Sequence, residues 1–477
     1  MRIMKALKYL NFLLLAGVIL SSCSKSLELT PPDQVAADDA FLDAASLERG
    51  LLGAYQTFNQ RTTGDYGAYG YQIWANALYS DEAMLHNENN TGRGVMPFRW
   101  QVDPSTADIT NTWAGYYFGI DRANRILAAA DKLTTLTEQE EALKNKVTGE
   151  ALALRAFGHL QLLINYANSY ELNALAIPYI KISEKYGKPA RQTVAEVMTQ
   201  IHADLDAAKV LIPSSFKSAT RISLPAVHAI QARAALYGQN WDLAIAAATA
   251  AINAVPLASK ENYPLIWTDK SNAEVIWKFR REQANFTRAG DWFYDRTQNK
   301  ILYAPSKELR DAFDKTTDIR YVATVRDRGA NRYSLAKYTG GDATAPNLAD
   351  LKVFRTAEMY LIRAEAYTEK GQLLLASNDL NALRSARING YVPQVFLTKE
   401  ALVNALLEER FKELAFEGHR VFDLRRRNLP ITRLEEDADN AQGAVLLQPT
   451  DKQYYFPIPD AEILANENMV QNPGYLK

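Results

Sequence analysis

The sequence predicts an all-α fold, mostly helical with minor β content and long loops, and three observations carry that expectation. Helix-start signals precede long runs with apolar residues at helical spacing. Two segments read as pairs of small-residue antiparallel helices. Only two short runs lean toward β structure. With 47% hydrophobic and 23% charged positions in 477 residues, the chain can bury a sizeable core. Its net charge of −1 and scattered basic residues exclude the electrostatic footprint of a nucleic-acid binder. The 25 Tyr and 7 Trp stand out, because their rings combine an apolar face with a polar edge.

The first segment, MRIMKALKYLNFLLLAGVILSSC, is cationic at Arg2, Lys5 and Lys8 and then apolar from Tyr9 to Leu20. About 12 helical residues rise ~18 Å, too short for a ~30 Å hydrocarbon core, so residues 1–22 read as a signal peptide. Leu20-Ser21-Ser22-Cys23 resembles a bacterial lipobox, in which the thiol receives diacylglycerol and the new amine is acylated. Cys23 is the single cysteine, which leaves no disulfide and no thiolate cluster. The polar, proline-containing SKSLELTPPDQ then reads as a tether.

Further along, Thr137 with Glu140 has capping-box spacing, followed by the stripe Leu143, Val147, Ala151, Leu154, Phe157, Gln161 and Ile164. Thr193 with Glu196 repeats the signal before Val197, Ile201, Leu205 and Ala208. In residues 232–256, Ala244, Ala248, Ala251 and Pro256 match the later positions of a tetratricopeptide unit, and Trp241 opens the second helix. Residues 364–387 repeat the pattern with Ala364, Tyr367, Gly371 and Ala376. Each unit leaves an apolar face that a neighbour must cover. Residues 274–282 and 320–327 are the β-leaning runs. Residues 64–70, 86–94 and 284–299 read as long loops, where binding residues tend to sit.

A ligand site is expected on two aromatic clusters. The first runs from Tyr66 to Trp100 and supplies Trp74, Tyr79, Asp81, Arg99 and Trp100, with Asn87, Asn89, Asn90 and Arg93 as further donors and acceptors. The second, NFTRAGDWFYDRTQ, supplies Arg288, Trp292 and Tyr294. A sugar ring has an apolar C–H face and a belt of hydroxyls, which flat aromatics beside Asp, Asn and Arg match. Trp113, Trp241, Trp267 and Trp277 fall in or beside regular elements and are expected in the core.

Motifs for enzyme chemistry are missing from the sequence. The five histidines include no helical i, i+3 or i+4 pair, and no GxSxG, GxxxxGK or GxGxxG occurs. No cofactor, metal or catalytic residue is expected. The protein is read as a binder and not an enzyme.

Three C-terminal segments carry a resemblance. FRTAEMYLIRAEAY (354–367), LLEERFKELAFEGHRVFDLRRRN (406–428) and FPIPDAEILANENMVQNPGY (456–475) together resemble the SusD/RagB family of Bacteroidetes surface lipoproteins. APSKELRDAFDKTTDIR (304–320) and GEALALRAF (149–157) are similar to further family segments. NYANSYELNALAIPYI (165–180) departs from the glycine-containing turn common in relatives. The resemblance implies one SusD-like domain over 23–477, with an N-terminal region at about 23–225 and a C-terminal region at about 226–477. Its tetratricopeptide-like units lie near 226–256 and 358–387. It further implies lipid anchoring at the outer membrane, facing the exterior, and capture of a glycan for a SusC-like TonB-dependent transporter. Peptide cargo, or an envelope scaffold without small-molecule cargo, are the alternatives. Within the motif residues, Glu408 and Lys412 are expected as a helix-surface pair. Glu413, Glu417, Arg420 and Asp423 are expected to form a buried ionic network beside Phe416 and Phe422.

Overall fold

The computed structural model describes residues 40–60, 66–134, 136–281, 287–341 and 344–475. The signal segment, Cys23, the tether, residues 64–65 of the first expected loop and residues 284–286 of the third lie outside the described residues. In chain order the long helices are α1 (Ala44–Asn59), α2 (Ala68–Tyr79), α3 (Ala107–Ala130), α4 (Glu138–Tyr166) and α5 (Val194–Leu211). They continue with α6 (Leu224–Tyr237), α7 (Trp241–Ala254), α8 (Thr356–Glu369), α9 (Leu373–Ser385) and α10 (Lys399–Glu413). The fold is therefore mostly α, as expected. Among the described residues no helix is long and apolar enough to cross a membrane.

Local chemistry starts the helices where the sequence indicated. Thr137 and Thr193 each accept a hydrogen bond from the backbone N–H of the glutamate three residues on, and that glutamate's carboxylate in turn accepts one from the threonine's own backbone N–H. Reciprocal capping satisfies two backbone donors that a helix start otherwise leaves open. Along α4 the expected stripe is buried from Val147 to Ile164, while Leu143 is half-buried.

The two expected hairpins are α6–α7 and α8–α9. Ala244, Ala248, Ala251, Ala364 and Ala376 are fully buried where the helices meet. A left-handed Gly371 (φ +73°) turns α8 into α9, a conformation glycine adopts without Cβ strain. Helix α8 also packs on α7 and α10, so each unit's apolar face is covered by its neighbour. Trp113, Trp267 and Trp277 are core residues as expected, but Trp241 is only half-buried, since it begins α7 at the surface.

Strand content is confined to two-stranded antiparallel ladders among the described residues. β1 (Ala83–Leu85) pairs with β3 (Tyr303–Pro305), placing Ala83 opposite Pro305 and Leu85 opposite Tyr303. β2 (Val275–Phe279), within the first β-leaning run, pairs with β4 (Leu351–Arg355). The second run is corrected: residues Arg320–Thr324 are helical and only Val325–Asp327 is a strand. Arg320 is fully buried there and donates to Asp318, Glu409 and Glu413, which fixes its backbone to that ionic cluster.

The four residues expected to share one buried ionic network are all paired, with Glu413, Glu417 and Asp423 buried and Arg420 partly buried, but the expectation is corrected in its connectivity, because they divide among three separate groups. Arg355 donates to Glu274, Glu413 and Glu417, Arg387 to Glu274 and Glu413, and Lys337 pairs with Glu417 at 2.7 Å. Asp423 pairs with Arg410 and Arg426, and Arg420 with Asp81. Glu408 and Lys412 pair at 2.8 Å, but only Glu408 is at the surface and Lys412 is buried, which corrects the expected surface pair. Charges enter a core at tolerable cost only when paired, and each of these has a partner of opposite charge, although Arg410 keeps Nε and Nη1 outside good hydrogen-bond geometry. The closing segment is locked down by Asn472, whose side-chain amide donates to the carbonyls of Tyr166 (2.9 Å) and Phe456 (2.7 Å).

Candidate functional site

The two aromatic clusters of the sequence meet in space. Tyr66, just before α2, packs edge-on to Trp74 (centroids 5.4 Å) and stacks on Trp292 (4.8 Å), with Tyr71 on its other side at 4.9 Å. Trp292 sits in a 3-10 turn, Ala289–Trp292, and presses on Gly70 of α2. A Cβ at Gly70 would lie 2.8 Å from Trp292 Cη2, so only glycine allows this approach. Arg281 closes the layer: its guanidinium lies 5.2 Å from the Trp292 ring centroid and donates to Asn59 and to the Tyr66 carbonyl.

This convergence is internal, which corrects the role expected for the aromatics. Trp74 and Trp292 are each 1% exposed, so neither presents a face on which a sugar could stack. Residues 68–70 of the expected loop 64–70 belong instead to helix α2, which buries Tyr69, Trp74 and Tyr79 in the core and leaves Tyr71 half-buried. Tyr79 is fully buried against Phe456 and donates to the Gln453 carbonyl. Trp100, also buried, donates to the Tyr79 carbonyl at 2.9 Å under the Arg433 guanidinium, 4.3 Å from its ring. Asp81 is buried and held by Arg420 through two contacts of 2.8 and 2.6 Å, which consumes its acceptor oxygens. Tyr294 is buried under the Arg328 guanidinium at 3.8 Å and bonds Asn299. The remaining two are half-buried and tied to backbone: Arg99 donates to the Asn440 carbonyl (3.0 Å) and Arg288 to that of Pro346 (3.2 Å).

What faces outward is polar. A pocket of about 170 Å³ is lined by Thr91, Arg93, Asp291, Asp295 and Arg296, drawn from the same two segments, and by Leu302 just beyond the second. Arg93 and Arg296 are exposed, Asp291 and Asp295 half-buried, and Leu302 forms an apolar floor. The Asp291 carboxylate accepts from Asn347 at 2.8 Å and lies 3.9 Å from Arg296. Burial raises the Asp291 pKa, an effect opposed by the Asn347 bond and by Arg296. Burial also pushes the Tyr66 hydroxyl up to about 12, with Arg93 acting against it. The aromatic layer therefore acts as a rigid support, and Arg and Asp side chains form the accessible surface.

Sequence reasoning named Arg93 as a donor but left Thr91, Asp291, Asp295, Arg296 and Leu302 out of its set. A signal was available in GDWFYDR, where acids and an arginine flank the aromatics: Trp292 and Phe293 go inward and Asp291, Asp295 and Arg296 outward. Among the described residues no group of three His, Cys, Asp or Glu side chains is placed to hold a metal ion.

Comparison with known proteins decides the family. A family model described as the SusD family matches residues 279–475, and one described as starch-binding associating with outer membrane matches residues 27–236. The chain belongs to the SusD/RagB family. It is 24% identical to SusD-like protein P38 of Formosa agariphila over 503 aligned positions, covering 90% of this chain and 94% of the relative. A stretch of 135 residues is 35% identical to the starch-binding protein SusD of Bacteroides thetaiotaomicron, covering 28% of this chain and 23% of that one. Among solved structures, a SusD superfamily protein from Bacteroides thetaiotaomicron superposes with a TM-score of 0.79 at 21% identity, covering 91% of this chain and all of that one. A SusD-like carbohydrate binding protein from Bacteroides vulgatus does so at 0.77 and 23%, with 90% and 97% coverage. At these identities the superpositions show the shared SusD-like fold.

Proposed function

We propose that this SusD/RagB family member is a lipid-anchored nutrient-binding protein of the outer-membrane surface. It captures an oligo- or polysaccharide and passes it to a SusC-like TonB-dependent transporter, and it carries out no chemistry on its cargo. The observation that carries this reading is the polar pocket over the Tyr66–Trp74–Trp292 layer, set on a fold whose matching family model is described as starch-binding. Arg93 and Arg296 supply donors, Asp291 and Asp295 supply acceptors, and Leu302 supplies an apolar contact for a sugar C–H face. Rigid support beneath a few placed polar groups keeps the ordering cost of binding low. The transporter enters because a binder without a channel moves nothing across a membrane. Cys23, following Leu20-Ser21-Ser22, is the proposed anchor.

The test is calorimetry of the wild type and an Arg296→Ala variant against a panel of neutral and acidic oligosaccharides. A ligand whose affinity falls five- to thirtyfold in the variant, with an unchanged thermal melt, supports the reading. Binding of peptides alone, with no saccharide giving heat, would replace the cargo class. Separately, mild detergent extraction should recover a TonB-dependent barrel with this protein, and Cys23→Ala should abolish lipid labelling.

A further inference from the structure

A second concave site shares no lining residue with the pocket above. A groove of about 1050 Å³ runs between α3, α5, the irregular segment 178–189 and the short helix Asp460–Ala465. That volume lies just above the ~300–1,000 Å³ usual for ligand sites. Its wall is held in place before any ligand arrives. Tyr117 of α3 donates to the Pro178 carbonyl at 2.8 Å, and Asn466 and Asn468 donate to the carbonyls of Pro189 and Lys188, both at 2.8 Å. His159 of α4 accepts from the Ile180 amide at 2.9 Å and stacks on Tyr179 at 3.8 Å. Burial holds the His159 pKa down to about 3, so the imidazole stays neutral and keeps that acceptor.

Two polar groups on the floor point to the ligand's chemistry. The indole Nε1 of Trp113 is buried, in a side chain only 2% exposed, and closes no well-aligned hydrogen bond, although it faces the Glu462 carboxyl. Beside it stands the half-buried carboxyl of Glu462, whose pKa is raised by burial and eased by the indole. A buried donor without a well-aligned acceptor is costly, and native folds leave few of them. A hydroxyl group fits this pair, because its oxygen accepts from the indole while its proton goes to the carboxylate.

The rim adds charge. Lys181, Lys185 and Lys188 line it against a single rim acid, Glu184. Lys181 makes no ion pair among the described residues, and Lys188 meets only the exposed Glu467, at 3.3 Å. Tyr186 is 81% exposed beneath the Lys185 ammonium, 5.2 Å from its ring, which presents a flat aromatic face to the groove. A floor that favours hydroxyls, an open aromatic face and a cationic rim together match a chain of sugar rings carrying acid groups.

We propose that this groove is a second carbohydrate site, selective for an oligosaccharide that bears carboxylates. The choice of a saccharide over another acidic polyol rests on the glycan-binding reading given above; the donor, acceptor and charge pattern does not.

The experiment is calorimetry of the full-length chain in detergent with tetragalacturonate, and with maltotetraose as the neutral counterpart of equal length. Wild type should bind the acidic tetramer more tightly than the neutral one, and 0.5 M salt should erase most of that difference. Lys181→Glu with Lys185→Glu, a change on the exposed rim, should weaken tetragalacturonate at least tenfold with an unchanged melt. Trp113→Phe keeps a core ring and removes the N–H, and should weaken both tetramers about fivefold. A double Arg93→Ala, Arg296→Ala variant should retain the groove event. No heat with tetragalacturonate, or an affinity indifferent to the lysine reversal, overturns the proposal. Loss only in the Arg93, Arg296 variant places the ligand in the other pocket and overturns the groove while sparing the proposed function. Loss only in the groove variants, with no saccharide responding to Arg93 and Arg296, spares the groove and overturns the pocket.

Discussion

Tyr66 and Trp292, 226 positions apart in the chain, stack with ring centroids 4.8 Å apart and planes 25° from parallel. This contact fastens the start of α2 to the segment that carries Asp291, Asp295 and Arg296, and so fixes the geometry of the pocket. It also means that Trp292 serves the site from beneath.

The first prediction separates support from contact. Trp74→Ala and Trp292→Ala should each destabilise the fold by ~3–5 kcal/mol, the range for truncating a buried aromatic. Arg296→Ala, at an exposed side chain, should change stability by less than ~0.5 kcal/mol and act on affinity alone. Urea unfolding of the three variants checks this. A Trp292→Ala protein of normal stability would show that the ring is not packed as described.

Much of this architecture was legible in the sequence because its causes are local. The capping boxes at Thr137 and Thr193 and the alanine spacing of α6–α7 and α8–α9 act over a few residues, and the helices start and pair where those signals stand. The pairing of residues 83–85 with 303–305 has no such signal, since strands this short are specified by what lands beside them. The site was half legible for the same reason. Tyr and Trp are suited both to wet surfaces and to cores, and only the arrival of Gly70, Arg281 and Tyr66 around Trp292 decides which. The Asp81–Arg420 pair likewise joins residues 339 positions apart, so Asp81 read as a free acceptor until its partner was seen.

Glycines give the second prediction. A Cβ at Gly70 would meet Trp292 at 2.8 Å, whereas one at Gly53, inside α1, meets nothing within 4 Å. Gly70→Ala should therefore cost ~1–3 kcal/mol through overpacking and weaken saccharide binding by shifting Trp292. Gly53→Ala should stabilise by ~0.4–1 kcal/mol through reduced unfolded-state entropy and better helix propensity. Opposite shifts in melting temperature are the expected readout, and equal shifts would contradict the packing at Gly70.

The third concerns Asp81 and Arg420, a bidentate pair with side chains 4% and 13% exposed. Replacing Arg420 with Met leaves a buried carboxylate without its partner and should cost ~3–5 kcal/mol. A second change, Asp81→Leu, removes that orphaned charge and should recover much of the loss, because the desolvation of both ions disappears with them. A double-mutant cycle in urea measures the recovery. If the double variant is as unstable as the two single changes added together, the two side chains do not act as a pair.

The last prediction is a pH dependence with a defined sign. Glu82 is fully buried at the entry to β1, and neither carboxyl oxygen closes a well-aligned hydrogen bond. Burial pushes its pKa from an ordinary 4.5 to about 8; Asp81 adds to the rise, and the Phe416 backbone, Lys337 and Arg420 oppose it. The folded chain thus keeps a proton that the unfolded chain releases near pH 4.5. Stability falls wherever the native state binds more protons than the unfolded one, so this group's contribution is present below about pH 4.5 and is lost as pH rises toward 8. At ~1.4 kcal/mol per pKa unit the loss amounts to several kcal/mol. Glu308, raised to about 7 by burial and by Asp81, slopes the same way and remains in both proteins when only residue 82 is changed. Glu82→Gln, uncharged at every pH, should match wild type near pH 5 and exceed it by several kcal/mol at pH 9. Urea unfolding at intervals across that range gives the two curves. Parallel curves would mean that Glu82 ionises in the folded protein as freely as in the unfolded one.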